Sequence, residues 1–222
     1  MFFEEEMEIL SRSKFNSKNK KRPLVIAYFT ADTPYEGEAE VLKLSLESVG
    51  YSYEVCGIKN LGNWQKNTQV KSIFVRHMLE KHSNRRLLYL DVDAIMIKPP
   101  EILDDLKADI AAVHYAGRSE LLSGTLFLGN TRQCKRVVQK WIHLNEEYPE
   151  RLPNGTEAWD QRTLAMAIKR IKGVNFVELP QEYTWITELT QKYNPGLDPV
   201  IMHTRGAKRF KNQMNGKRGY AK

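Results

Sequence analysis

Leu87-Leu88-Tyr89-Leu90-Asp91-Val92-Asp93-Ala94, preceded by Arg85-Arg86 and followed at a short distance by Pro99-Pro100, sets an unbroken apolar run directly before two carboxylates one residue apart. An apolar run without alternation is a strand buried on both faces of its sheet. Strand side chains alternate, so Asp91 and Asp93 point the same way if the chain is still extended there. Two like charges at the edge of a core repel each other and lose hydration, and no basic residue stands between them. A divalent cation relieves both costs. Carboxylate oxygens suit Mg2+ or Mn2+, whose shells are completed by water and substrate phosphate. The plainer reading is a turn or a helix cap, for which Asp-x-Asp is common. The buried strand before it and the Pro-Pro stop after it favour the metal.

Outward from this strand, apolar runs and helical periodicities alternate. Residues 24–30 read as a strand by their run of β-prone side chains, with a loop at its carboxyl end, the edge of an open α/β sheet where ligands bind. Residues 36–49 carry Val41, Leu42, Leu46 and Val49 at helical spacing and stop at Gly50, a C-terminal cap. Strands are expected at 51–58, 108–114, 174–179, 183–186 and 200–203, and helices at 70–82, 101–106, 131–148 and 158–171. Residues 59–68 are expected as a loop, and Ser123-Gly124-Thr125 as a small-residue turn entering a strand within 120–128. Trp141, Trp159 and Trp185 fall at core positions. The alternation predicts one α/β domain, a mostly parallel sheet flanked by helices. Its expected span is 23–210, between a mobile N-terminal segment at 1–22 and a basic tail at 211–222.

Leu-Tyr-Leu-Asp-Val-Asp-Ala resembles the metal-binding segment of glycosyltransferases with the GT-A fold. The likeness is greatest to the glycogenin and lipopolysaccharide galactosyltransferase group (family 8) and the related nucleotide-diphospho-sugar transferases. His203-Thr204-Arg205-Gly206-Ala207-Lys208 resembles that family's C-terminal His-x-x-Gly-x-x-Lys, although Arg209 here displaces the following aromatic to Phe210. The resemblance implies a GT-A, Rossmann-like fold and transfer of a sugar, with retention, from a nucleotide-diphosphate donor, foremost a UDP-sugar, to a hydroxyl. It also implies a metal, Mn2+ or Mg2+, held by Asp91, Asp93 and His203, with Val92 beside the donor. Physical chemistry agrees: an imidazole can close a coordination shell begun by two carboxylates. Gly206 admits a diphosphate close to the backbone, and Lys208 offsets charge on the departing nucleotide. A strand-end histidine before a solvated tail is the alternative.

Weaker matches follow the family's order. Tyr28, Thr30, Ala31 and Tyr35 resemble the loop that cradles the nucleotide, or form a plain strand-to-loop junction. Lys71 matches a basic position that fixes the donor, or is a solvent-facing helix lysine. Ser123 and Gly124 resemble the turn beside the donor sugar, where a Cβ would collide, or mark a bulge. Asp160 and Gln161 resemble the Asp-Gln pair that hydrogen-bonds the sugar, or Asp160 is an N-terminal cap. No residue declares itself a nucleophile.

Composition bounds the rest. The 222 residues suffice for one sizeable core, and no apolar run reaches the roughly 18 residues of a membrane span. The acidic start lacks the layout of a secretory signal, and two cysteines make no disulfide framework, so a reducing cytoplasm is the expected setting. The net charge of +7 is uneven: residues 12–22 carry six Lys/Arg, residues 205–222 carry seven, neither has an acid, and the remainder is acidic by six. The basic ends suit DNA, with a hydroxymethylated base as acceptor, or an anionic membrane surface near a cell-envelope glycan, or they merely solubilise. The rival activity is a metal-dependent nuclease or nucleotidyltransferase, which needs a further carboxylate for a second metal. Asp109 and Glu178 are the candidates.

Overall fold

The computed structural model describes residues 7–204, except 18, 20, 116–118, 187–189, 191 and 195. A seven-stranded sheet runs through it in the order β1 (Ile9–Phe15), β3 (Tyr53–Ile58), β2 (Leu24–Thr30), β4 (Leu87–Leu90), β7 (Leu121–Leu128), β6 (Ile110–His114), β8 (Phe176–Glu178). Five strands run one way; β1 and β7 are reversed. The α/β class expected from the alternation is therefore present, as a mixed sheet whose carboxyl edge collects the ends of β2, β4, β6 and β8.

Helices cover both faces. α1 (Tyr35–Ser48) buries Ala39, Leu42 and Leu46 on one, against a cluster that includes Val25, Leu88 and Phe127. α3 (Lys71–Lys81), α4 (Arg132–Glu147) and α5 (Asp160–Arg170) cover the other, where Phe74, Met78, Trp141 and Leu164 join Ile26 and Leu126. β2 and β4 read as apolar throughout because they have helices on both sides. α1 ends as its sequence announces: Gly50 takes φ +65° and its N–H bonds the Glu47 carbonyl.

α4 is started by Thr131, whose hydroxyl oxygen accepts from the Cys134 N–H at 3.1 Å while its proton goes to Asp109. Just before it, a Cβ on Gly129 would lie 2.0 Å from the Ala108 carbonyl oxygen, so only glycine fits between β6 and β7.

Four expectations change. Ile9–Phe15 lies in the stretch expected to be mobile, yet it is an edge strand paired antiparallel with β3. Phe15 stacks on Tyr53, and the basic side chains of the strand are drawn to Glu54, buried on β3 and met by Arg12, Lys14, Lys81 and His82. Burial opposes its charge, but hydrogen bonds from Lys81 and His82 and the nearby cations win, holding its pKa at about 2. The expected loop at 59–68 contains α2 (Trp64–Gln69), started by Asn63, whose side chain accepts from the Gln65 and Lys66 N–H groups. Ser123-Gly124-Thr125 is no turn but lies inside β7. There β6 skips from Ala112 to Val113 opposite Leu126 and Leu122, and the intervening segment pairs with the end of β4.

Fourth, the chain leaves β4 by a turn closed by the Ala94 N–H on the Asp91 carbonyl, 2.9 Å, and enters β5 (Ala94–Met96). β5 pairs with β10 (Ile201–His203), which also pairs with β9 (Trp185–Ile186), in a small second sheet. Asp91 and Asp93 are thus neighbours across a turn, not alternate residues of one strand. No helix among the described residues is long and apolar enough to cross a membrane.

Candidate active site

A cavity of about 370 Å³ opens at the carboxyl edge of β2 and β4. Its wall takes in Tyr28, Thr30, Tyr35, Lys71, Asp91, Val92, Asp93, Ser123, Gly124, Asp160, Gln161 and His203, all singled out in the sequence. Ala31 is not among them; its N–H completes the sheet on the Ile58 carbonyl at 2.8 Å. Gly206 and Lys208 lie outside the described residues.

At the floor sits Lys71, the first residue of α3, only 3 % exposed and not the solvent-facing lysine its helix position allowed. Its Nζ lies 3.0 Å from Asp91 Oδ1 and 2.8 Å from Asp160 Oδ2, and donates to Ser123 Oγ at 3.1 Å. Ser123 Oγ in turn donates to Asp160 Oδ2 at 2.6 Å. Burial works against the Lys71 charge, but Asp160 and Asp91 outweigh it and raise the ammonium's pKa. Asp160 does not cap α5: the capping position is Trp159, and the Asp160 carboxylate faces Lys71 and Ser123 instead. Asp160 is held in place from behind, where its backbone carbonyl accepts from Trp141 Nε1 at 2.9 Å. Gln161 lines the cavity and donates to Glu120 Oε1 at 2.8 Å.

Asp91 lies between this cluster and a second one. Its Oδ1 accepts from Tyr89 OH at 2.8 Å, and the Lys71 ammonium sits 5.0 Å over the Tyr89 ring. Partial withdrawal from water raises the Asp91 pKa. Asp93 and Asp160 push it further up, against Lys71 and His203. On the far side stands His203, brought beside Asp93 by the pairing of His203 with Ala94. Its Nδ1 is 3.5 Å from Asp93 Oδ1, and its Nε2 is 2.9 Å from Thr125 Oγ1. Gly124 separates His203 from Asp91: a Cβ there would lie 3.0 Å from His203 Cε1 and 3.1 Å from Asp91 Oδ2. A side chain at 124 would therefore crowd these two side chains. As they stand, no three His, Cys, Asp or Glu side chains among the described residues form a metal-binding group.

Nine residues of the cavity wall were not among the site residues singled out in the sequence, the large aromatics Tyr89, Trp159 and Trp64 among them. Tyr89 stands two residues before Asp91, and strand alternation alone puts it on the same side. Trp159, expected in the core, lines the cavity with Trp64. The two rings meet edge-on at 6.4 Å, and Arg162 lies 4.4 Å over Trp159. Trp64 sits in a stretch read as loop. The nuclease candidates are engaged elsewhere. Asp109 stands just before β6, at the opposite edge, and accepts from Thr131 and from the Asn175 N–H. Glu178 pairs with His114.

No family model matches the sequence, and no curated protein does. Solved structures match its fold. A glycosyltransferase involved in glycosylation of the major capsid of PBCV-1 superposes with a TM-score of 0.66 at 17 % identity, over 87 % of this chain and 99 % of that one. The glycosyltransferase GlyE of Streptococcus pneumoniae TIGR4 gives 0.59 at 18 % identity, over 82 % of this chain and 54 % of GlyE, so this chain spans about half of GlyE. The bifunctional glycosyltransferase WbbM gives 0.50 at 8 % identity, over 92 % of this chain and 53 % of WbbM. The chain therefore has the GT-A-like α/β fold of these glycosyltransferases.

Proposed function

We propose that this chain is a metal-dependent glycosyltransferase that moves a sugar from a nucleotide-diphosphate donor, foremost a UDP-sugar, to a hydroxyl acceptor with retention of configuration. One observation carries the reading: in a glycosyltransferase fold, Lys71, Asp91, Asp93, Ser123, Asp160 and His203 converge on one cavity at the carboxyl edge of the sheet.

The chemistry of Asp91, Asp93 and His203 suits a divalent cation, with the three side chains drawing together to ligate it. Asp91 and His203 approach each other across a glycine, Asp93 faces the His203 ring, and Asp91 is a carboxylate whose charge Lys71 meets only in part. Asp91, Asp93 and His203 would hold the ion, replacing the direct Asp93–His203 contact. Two carboxylates and an imidazole suit Mn2+ better than Mg2+, which prefers an all-oxygen shell. When bound, the cation supplies positive charge for the diphosphate.

The protein's own groups do the rest. Asp160, fixed by Lys71 and Ser123, presents an acceptor to the hydroxyls of the donor sugar, and Gln161 borders the same space. The acceptor oxygen bonds the anomeric carbon as the bond to phosphate breaks, and the acceptor proton passes to the departing phosphate oxygen, assisted by Lys208. Tyr35, half-buried beside the β2 loop, flanks the nucleoside.

Arg12 and Lys14 are engaged by Glu54, and the seven Lys/Arg at 205–222, with Lys18, Lys20 and Lys21, supply the positive charge for a polyanionic acceptor such as DNA. A salt-dependent affinity for DNA, lost on cutting after Phe210, tests that part. The activity itself is tested by release of nucleoside diphosphate from a panel of nucleotide sugars, with Mn2+ or chelator, in the wild type and in Asp93→Ala. Metal-dependent turnover of one donor, abolished by the substitution, is the expected result. Silence across the panel together with no donor binding by calorimetry would overturn it.

A further inference from the structure

β7 contributes more than a wall to this site. Thr125 is fully buried, and its hydroxyl lies 2.9 Å from His203 Nε2. Its place is fixed by register, since Thr125 pairs with Leu90, the residue before Asp91. His203 is set as firmly from the other side, by pairing with Ala94 and with Ile186. The imidazole, its side chain 7 % exposed, is thus held between strands of both sheets.

A neutral imidazole has one N–H and one lone pair, and the hydrogen bond made by one nitrogen decides what the other offers. Two arrangements are possible. If Nε2 carries the proton and donates to Thr125 Oγ1, the lone pair of Nδ1 points towards Asp93, on the side where Gly124 leaves room for Asp91. If Thr125 donates instead, Nδ1 carries the proton, and the ring cannot serve as a ligand beside the two carboxylates. Valine fills the shape of threonine but accepts nothing, so it removes this control and leaves a buried Nε2 without a partner.

We infer that Thr125 is a positioning residue for cation binding: with a cation between His203 and the carboxylates, it accepts the Nε2 proton of His203 and so holds the Nδ1 lone pair towards Asp91 and Asp93. Gly124 acts with it, because a side chain there would push the ring from Asp91. The inference rests on the reading of His203 as a metal ligand given above. It adds a residue that touches neither cation nor substrate.

The test is Mn2+ binding to the full chain, followed by electron paramagnetic resonance of the free ion, with no donor present. The proteins are the wild type, Thr125→Val, Thr125→Ser, His203→Ala, Asp93→Ala and the double variant Thr125→Val/His203→Ala. Thr125→Val should weaken Mn2+ binding by about 10- to 100-fold, the usual effect of losing such a partner. Thr125→Ser, which keeps the hydroxyl, should restore near wild-type affinity. With His203 already replaced, Thr125→Val should cost nothing further, an outcome that a packing role would not give.

If Thr125→Val fails to fold, Thr125→Ala is read against the same expectations. Wild-type affinity in the Thr125 variants, with binding lost in Asp93→Ala, overturns the inference and leaves the metal site standing. Absence of Mn2+ binding by the wild type overturns the metal reading and this inference with it.

Discussion

Replacing Lys71 by methionine removes the ammonium between Asp160 and Asp91 while keeping an unbranched apolar stem one atom shorter. Breaking a buried ion pair by deleting one partner costs about 3–5 kcal/mol, because the other charge is left uncompensated. The two carboxylates differ in how far this applies. The Asp91 side chain is 38 % exposed and rehydrates, so its share is small. Asp160 is only 9 % exposed and keeps the Ser123 hydroxyl as its partner, which sets the total near the low end, about 3 kcal/mol. For a chain of this length that is a fall in Tm of about 6–12 °C. Urea and thermal denaturation of Lys71→Met, Asp160→Asn and the double variant give the measurement. The double variant should recover most of the loss, with a coupling of about 2–3 kcal/mol. Stability of Lys71→Met within about 0.5 kcal/mol of wild type, or strictly additive single effects, would refute the reasoning.

Three further outcomes follow from the same geometry. Glu54 holds its proton less tightly in the folded state than in the unfolded one, so its contribution is present above about pH 4.5 and is lost as pH falls towards 2. Denaturation at stepped pH should show the wild type losing up to about 3 kcal/mol across that window, and Glu54→Gln, weaker at neutral pH, changing much less. Gly124→Ala should lower donor turnover about 10- to 100-fold through displacement of His203 and Asp91, with Tm little changed, since the strand itself tolerates alanine. Gly129→Ala should destabilise by about 3 kcal/mol or more in urea denaturation, because its Cβ meets a backbone carbonyl that side-chain motion cannot relieve.

What the sequence made legible was whatever depended on local pattern. The strand at Leu24–Thr30, the central Leu87–Leu90 and the helix stopped by Gly50 were readable because burial on two faces, or on one helical stripe, writes itself into consecutive residues. Lys71 was ambiguous for the opposite reason: burial of a lysine is decided by Asp91 and Asp160, which reach it from distant segments. The strand at Ile9–Phe15 hides in a basic stretch because what holds it, the ladder to β3, the Glu54 carboxylate and the Phe15–Tyr53 contact, comes from distant residues. The turn after Asp91 and the short β5 carry too few residues for a periodicity, so the pairing that sets His203 beside Asp93 has no local signature. Trp159 could have been suspected as the neighbour of Asp160 at a helix start, whereas nothing near Thr125 announces a histidine 78 residues away.

That last distance bears on synthesis. A ribosome makes β2, β4 and β7 first, and with them Lys71 and Asp91; Asp160 follows at the start of α5. β10, which carries His203, is translated last among the described strands and needs both β5 and β9 already in place to dock. A nascent chain halted before Ile201 therefore holds nearly every polar group of the cavity without the imidazole that faces Asp93, and the wall of the cavity is completed only by the last strand.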